Sequence, residues 1–187
     1  MRSATATDSA VTAVTGVVRA VTTALRASWR LSVTAFLVVA VPLVIVMGSL
    51  VSFGLPLGDI VWISMMTGVF AASYFAHELA HTLVYVGLCR RAGRPFDLAW
   101  HGGATHAHIS RWSVGQHGDA LVAVAGPVAG FLVGVPLLLP GPDFLLRFPV
   151  IVLFATHLTS LLPSQSDGRQ LAGAFAAEFE RGRRDEC

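Results

Sequence analysis

The sequence contains no lysine, and only 13% of its 187 residues are charged, about half the share found in soluble domains. This shortage of charge, together with a hydrophobic content of 54%, excludes an ordinary soluble domain and predicts an integral membrane protein. The net charge is only +2 and no basic tract is present, which argues against nucleic-acid binding. Two cysteines, Cys89 and Cys187, are too few for a disulfide framework.

Long apolar runs predict an all-α integral membrane protein with about four transmembrane helices, because about 20 apolar residues cross about 30 Å of hydrocarbon. The predicted spans are residues 31–53, 60–89, 121–139 and 144–162. Residues 1–30 place apolar side chains at helical spacing with arginines off that stripe, which predicts an N-terminal amphipathic helix, cytoplasmic or interfacial. The predicted transmembrane catalytic core covers residues 31–167, and residues 168–187 form a short cytoplasmic tail.

The arginine distribution predicts an orientation in the membrane. The N-terminal segment, the loop after the second span and the C-terminal tail contain four arginines each. The two turns on the other side contain a single arginine between them. Because cytoplasmic loops carry an excess of basic residues, we expect a multi-pass protein of the cell membrane with both termini in the cytoplasm.

One motif inside an apolar run has recognisable chemistry. Residues 75–83 read F-A-H-E-L-A-H-T-L and contain H-E-x-x-H, formed by His77, Glu78 and His81. Residues four apart on a helix lie one above the other, so both imidazoles can bind one Zn²⁺, and Glu78 can take a proton from a water molecule on that ion. The alternative is a pair of helix histidines satisfied by their neighbours. Ionisable groups are costly inside a membrane, which favours the functional interpretation.

A catalytic zinc normally has three protein ligands, so the motif needs a third residue from elsewhere. Counting helical rises along the spans places Asp167 and His77 at about the same depth, in the inner half of the membrane. Asp167 lies in S-D-G-R, where the glycine permits a tight turn, although a turn aspartate that caps the tail helix is the alternative. His106 and His108, in an H-x-H pattern, are further ligand candidates or else solvated loop residues.

Small residues recur at every fourth position on two predicted spans, a pattern that lets transmembrane helices pack closely and that is also common in membrane helices generally. The two stripes are Gly68, Ala72, Ala76 and Ala80 on the second span, and Gly126, Gly130 and Gly134 on the third.

The order of the motifs resembles the site-2 protease family of intramembrane zinc metalloproteases. After H-E-L-A-H come G-G at 102–103, A-G-P at 125–127 and L-P-x-x-x-D-G at 162–168. The likeness covers roughly residues 60–170. The middle loop is too short for a PDZ domain and the tail is too short for a CBS domain, so the chain resembles a minimal member of this family.

The resemblance implies that a zinc ion is bound by His77, His81 and Asp167, with Glu78 as the general base. It also implies a short hairpin or strand near residues 102–109, between the second and third spans, that helps to present the substrate.

The chain departs from the family pattern at a polar position. Ser160 stands where the family usually has an asparagine, three residues before the proline, and the spacing from proline to aspartate is one residue shorter than the commonest form. The sequence therefore leaves open which group hydrogen-bonds the substrate or an oxyanion. The candidates are Ser160, Thr159, His157, His106 and His108.

These patterns together predict regulated intramembrane proteolysis, in which a peptide bond in or near the transmembrane segment of a single-span membrane-protein substrate is hydrolysed. The predicted partners are this substrate and membrane lipid. The alternatives are an inactive protease relative that binds transmembrane partners, a metal-ion carrier, or a structural membrane protein with a chance motif.

Overall fold

A computed structural model of the chain describes residues 6–52, 56–102, 107–138 and 144–185. The structure is mostly helical, at 83%, with one small sheet in the described residues. The α-helices are α1 (Ala6–Ser52), α2 (Leu57–Arg91), α3 (Gln116–Leu132), α4 (Phe144–Ala155) and α5 (Ser166–Asp185). The strands are β1 (Leu98–Gly102) and β2 (Ala107–Arg111), and short 3₁₀ helices cover Val135–Leu138 and Thr156–Leu161.

Helix α1 is one continuous element of 47 residues, where the sequence predicts an amphipathic helix followed by a separate span. Neither glycine nor proline lies between Arg26 and Pro42, so the arginines that interrupt the apolar pattern do not interrupt the helix. The polar boundary near Arg30 is therefore a change of surface chemistry along a single helix.

The face that α1 presents to the rest of the protein consists of small residues. Ala20, Ala24 and Ala27 are fully buried, and the Thr82 hydroxyl of α2 approaches the carbonyl oxygen of Ala20 at 3.5 Å. Large apolar side chains of α1, among them Val18 and Leu25, are more than half exposed. Small residues at the helix contact and large apolar residues outside are typical of helices that face lipid.

Two helical segments in the described part of the chain are long and apolar enough to cross a membrane, Val14–Val41 and Gln116–Leu138. The second joins α3 to the following 3₁₀ helix. Helix α2, which holds His77, Glu78 and His81, is not among the segments found in the described residues. The apolar segment Val150–Leu161, formed by the end of α4 and the following 3₁₀ helix, is shorter than a full span. The described residues therefore contain two candidate spans, and the expected four stay a prediction.

Strands β1 and β2 form an antiparallel pair between α2 and α3, where a hairpin or strand was expected. The register pairs Leu98 with Arg111 and His101 with His108. The chain turn between the strands lies outside the described residues.

Helix α2 runs between two apolar clusters, which fix its position. Phe70 belongs to a cluster with residues of α4, and Tyr85 belongs to a second cluster with Leu98 of β1 and Val122 of α3. The H-E-x-x-H turn lies between these anchors, so it is held at both ends without being covered by either cluster.

Candidate metal centre

His77 and His81 lie one turn apart on the same face of α2. Their Nε2 atoms are 3.1 Å apart and their ring centroids 4.8 Å apart, in an edge arrangement. The i, i+4 spacing of an α-helix produces this geometry locally, as the motif predicts.

Asp167, in the first turn of α5, completes the group from a distant part of the sequence. Its Oδ2 atom lies 3.5 Å from Nε2 of His77 and 3.6 Å from Nε2 of His81. All three side chains are mostly buried, with 12–14% of their surface exposed. The structure thus brings together the three predicted ligands, and they could hold a metal ion.

The spacing of the three atoms suits a small tetrahedral ion. Ligand atoms bonded to zinc at about 2.0–2.1 Å with tetrahedral angles are about 3.3 Å apart, close to the 3.1, 3.5 and 3.6 Å found here. The point equidistant from the three atoms is about 2.0 Å from each, which matches the length of a zinc–ligand bond. His77, His81 and Asp167 would therefore hold such an ion as its three protein ligands.

The orientation of His81 is fixed by α3. Its Nδ1 atom lies 2.6 Å from the carbonyl oxygen of Val122, which can only accept a hydrogen bond. Nδ1 therefore carries the proton in the neutral ring, and Nε2 presents its lone pair toward Asp167 and His77. Backbone carbonyls play this orienting role for many metal-binding histidines.

Glycines of α3 provide the room for this arrangement. A Cβ atom at Gly126 would lie 2.2 Å from Nε2 of His81, and one at Gly130 would lie 2.7 Å from the His157 ring. Just beyond the end of α3, a Cβ atom at Gly134 would lie 2.3 Å from Cγ of the Phe154 ring. The predicted glycine stripe of the third span is thus a close-packing face. On α2, by contrast, Gly68 and Ala72 are exposed, and a Cβ atom at Gly68 would meet nothing within 4 Å.

Gly168 permits a tight backbone beside Asp167, as predicted. It adopts no positive φ angle, so a left-handed turn conformation is not the reason. A Cβ atom there would instead lie 1.9 Å from the carbonyl oxygen of Leu162. The residue next to Asp167 is a glycine because the start of α5 lies directly against the preceding backbone.

The carboxylate of Asp167, outside both candidate spans, is held in its charged form. Burial raises the pKa of this carboxyl, but the adjacent imidazoles of His77 and His81 outweigh that effect and bring the pKa well below its ordinary value. A charged carboxylate is the form that binds a metal.

Glu78 and the three ligands line one cavity of about 490 Å³. Glu78 is 7% exposed, so its carboxyl is nearly removed from solvent. A volume of this size lies within the range of about 300–1,000 Å³ typical of ligand pockets. The cavity combines the candidate base with the candidate metal group.

The substrate and oxyanion candidates of the 3₁₀ helix also line this cavity. The hydroxyls of Ser160 and Thr159 donate to backbone carbonyls within that helix, at 2.8 and 2.6 Å. His157 bonds Ser73 at 2.6 Å, and because the Ser73 hydroxyl donates to the Phe70 carbonyl, His157 Nε2 is the donor. A role for any of them at the substrate stays a prediction.

The loop histidines are not placed at the site. His106 lies outside the described residues, and His108 is described only as a backbone position in β2. Neither is in the metal group found among the described residues.

The cavity residues that the sequence did not identify include Tyr74, Tyr85 and Arg111. The tyrosines lie close to one turn before and after the motif on the same helix face, so the helical period could have identified them. Arg111 carried no such signal, since a single arginine in a short strand belongs to no pattern.

The chain was compared with protein-family models, with curated proteins and with solved structures, and none of them matches it.

Proposed function

We propose that this protein is an intramembrane zinc metalloprotease that hydrolyses a peptide bond in or near a transmembrane segment of its substrate. The observation that carries the proposal is the convergence of His77, His81 and Asp167 on one point, beside Glu78, in a single cavity. Two nitrogen ligands and one oxygen ligand, with a fourth position open, are typical of catalytic zinc.

The depth of the site supports an intramembrane reaction. His81 contacts Val122, six residues from the start of the candidate span Gln116–Leu138, or about 9 Å along the helix. The adjacent residue Thr82 contacts Ala20, which is likewise six residues from the start of the span Val14–Val41. These positions support a metal group inside the apolar layer and nearer to one side.

We propose further that α2 and α4 complete a multi-pass fold of four spans. The contacts of α2 with α1 begin near Ala20 and Thr82 and reach Ala35 and Phe70, so the two helices run antiparallel. The excess of arginines at the N-terminal segment, the hairpin region and the tail favours cytoplasmic termini. On this basis the metal group lies in the cytoplasmic half of the membrane.

A zinc ion bound by the three ligands supplies Lewis acidity, which polarises a carbonyl and makes water more acidic. Glu78 takes a proton from the attacking water as the water oxygen bonds to the peptide carbon, and it passes this proton to the leaving amine when the C–N bond breaks. The hydrogen bond from His81 to the Val122 carbonyl holds that imidazole in the orientation in which its Nε2 would bind the ion.

A helical substrate must unwind before its carbonyl can reach the site, and its backbone groups then need partners inside the membrane. The hairpin of β1 and β2 supports a route to this, because Ile109 and Arg111 of β2 line the metal cavity. An unwound segment can add to a strand edge through main-chain hydrogen bonds.

The test uses purified protein in detergent with a panel of single-span substrates. Glu78→Gln should retain one equivalent of zinc and lose cleavage, whereas His77→Ala should lose both. Asp59→Asn, an acid-to-amide change at the far end of the same helix, is the matched control and should cleave as the wild type does. Undiminished cleavage by Glu78→Gln would exclude this mechanism. Zinc binding without cleavage of any substrate by the wild type would favour the inactive relative, and exchangeable ions with vesicle transport would favour the carrier.

A further inference from the structure

Arg111, the last residue of β2, connects the elements that build the metal group. Its side chain is only 10% exposed. The guanidinium forms an ion pair with Asp119 of α3, donates to Oε1 of Gln170 of α5 at 3.1 Å, and lies over the Tyr85 ring of α2 at 5.6 Å.

Each of these partners lies about one helical turn from a part of the metal group. Tyr85 follows His81 by four residues, and Gln170 follows Asp167 by three. Asp119 lies three residues before Val122, whose carbonyl orients His81. Arg111 therefore contacts both helices that bear the group, α2 and α5, and also α3, which orients His81. It bonds to none of the three predicted ligands in these contacts.

Helix α5 leaves two of its large apolar side chains unpacked, so polar contacts contribute to its position. Phe175 and Phe179 are 62% and 72% exposed. Arg111 donates to the side chain of Gln170, which lies on the same face as Asp167. Loss of that bond would weaken the attachment of the first turns of α5, which are also held by the close approach of Gly168 to Leu162, and would let Asp167 shift.

We propose that Arg111 is a positioning residue that holds α5 in place, so that Asp167 stays within metal-binding distance of His77 and His81. The proposal rests on the proposed metal site but not on proteolysis. Arginine suits the role because its planar fork serves two acceptors at once while its face lies over a ring, which lysine cannot do. Asp119 is itself fixed by the Ser113 hydroxyl and by the backbone N–H of Val114, so the ion pair is a rigid anchor.

The test measures Zn²⁺ affinity of the full chain in detergent, by competition with a chelator, and the visible spectrum of bound Co²⁺. Arg111→Ala should weaken Zn²⁺ binding about 10–100-fold, the usual effect of losing an orienting partner. Its Co²⁺ spectrum should shift toward that of Asp167→Ala. Arg19→Ala is the matched control, because Arg19 also pairs with an aspartate and lies over a ring, at Asp97 and Phe96. It should bind Zn²⁺ as the wild type does.

Two further comparisons separate positioning from general destabilisation. In an Asp167→Ala background, where the two histidines retain weak binding, Arg111→Ala should change affinity by less than about threefold, because its effect passes through Asp167. Gln170→Glu keeps an acceptor for Arg111 and should keep affinity, whereas Gln170→Leu should lose it. An equal loss in both backgrounds, or wild-type affinity for Arg111→Ala, would overturn the proposal. If the wild type binds no Zn²⁺, both the positioning role of Arg111 and the proposed function are overturned. If all variants bind Zn²⁺ as expected but the wild type cleaves no substrate, only the proposed function is overturned.

Discussion

Replacement of Gly126 by alanine should destroy the metal group by adding a single methyl. The new Cβ atom would lie 2.2 Å from Nε2 of His81 and 2.5 Å from Cε1, against ordinary carbon contacts of about 3.5–4.0 Å. The imidazole must therefore move by more than about 1 Å, whereas metal–ligand distances tolerate about 0.2 Å. Helix α3 cannot easily move instead, because Gly130 holds it against the ring of His157.

The expected consequence is a loss of one of the three ligands. We expect Zn²⁺ affinity to fall by about 100-fold or more, beyond the effect of losing an orienting partner. Overpacking should also lower the free energy of unfolding by about 1–3 kcal/mol. Chelator competition measures the first quantity, and thermal unfolding in detergent measures the second.

Gly68→Ala is the control for this experiment. Gly68 lies inside α2, and a Cβ atom there meets nothing within 4 Å. The change should leave Zn²⁺ affinity intact and stabilise the helix by about 0.5–1 kcal/mol. If Gly126→Ala bound Zn²⁺ as tightly as Gly68→Ala, His81 would not be a ligand in the position described.

Two further predictions concern α5 and the metal itself. Gly168→Ala would put a Cβ atom 1.9 Å from a backbone oxygen, so it should displace Asp167, lower Zn²⁺ affinity and lower the melting temperature. Gly173→Ala is the control on the same helix, because a Cβ atom there meets nothing within 4 Å, and it should change neither quantity. Equal behaviour of the two variants would contradict the close approach at Leu162. Zinc at 100 times its dissociation constant should stabilise the wild type by about 2.7 kcal/mol, and chelation should reverse this. The melting temperature of His77→Ala should not respond to zinc, and a response equal to that of the wild type would show that the ion binds elsewhere.

The metal group could be predicted in part because two of its three ligands lie one helical turn apart. His77 and His81 meet through the helical repeat alone, which requires no knowledge of the fold. Asp167 comes from another element, and its inclusion depended on a count of helical depth and on the resemblance. Its meeting with the histidines is a tertiary contact that no local pattern determines.

The contacts around the metal group could not be predicted from the sequence for the same reason. The hydrogen bond between His81 and Val122 forms only when α3 packs against α2. The contacts of Arg111 likewise connect four elements, β2, α2, α3 and α5, through one side chain. The apolar periodicity also predicted two separate elements where α1 is one continuous helix, because arginines change the polarity of a helix without ending it. Gly168 was correctly predicted to permit a tight backbone, but the sequence could not give the reason, since close backbone approach and a turn conformation both favour glycine.

The burial of two acids in one cavity gives an independent argument for a cation at this site. Asp167 and Glu78 expose 14% and 7% of their surface and line the same space. Each carboxylate loses hydration there, and buried charges are normally paired or coordinate a metal. Arg111 also lines the cavity, but its charge is matched by Asp119. A divalent ion bound by His77, His81 and Asp167 would supply positive charge beside the buried carboxylate of Asp167. The carboxylate and the two imidazoles therefore fit together as a cation site, whereas a buried carboxylate without a positive partner would be costly.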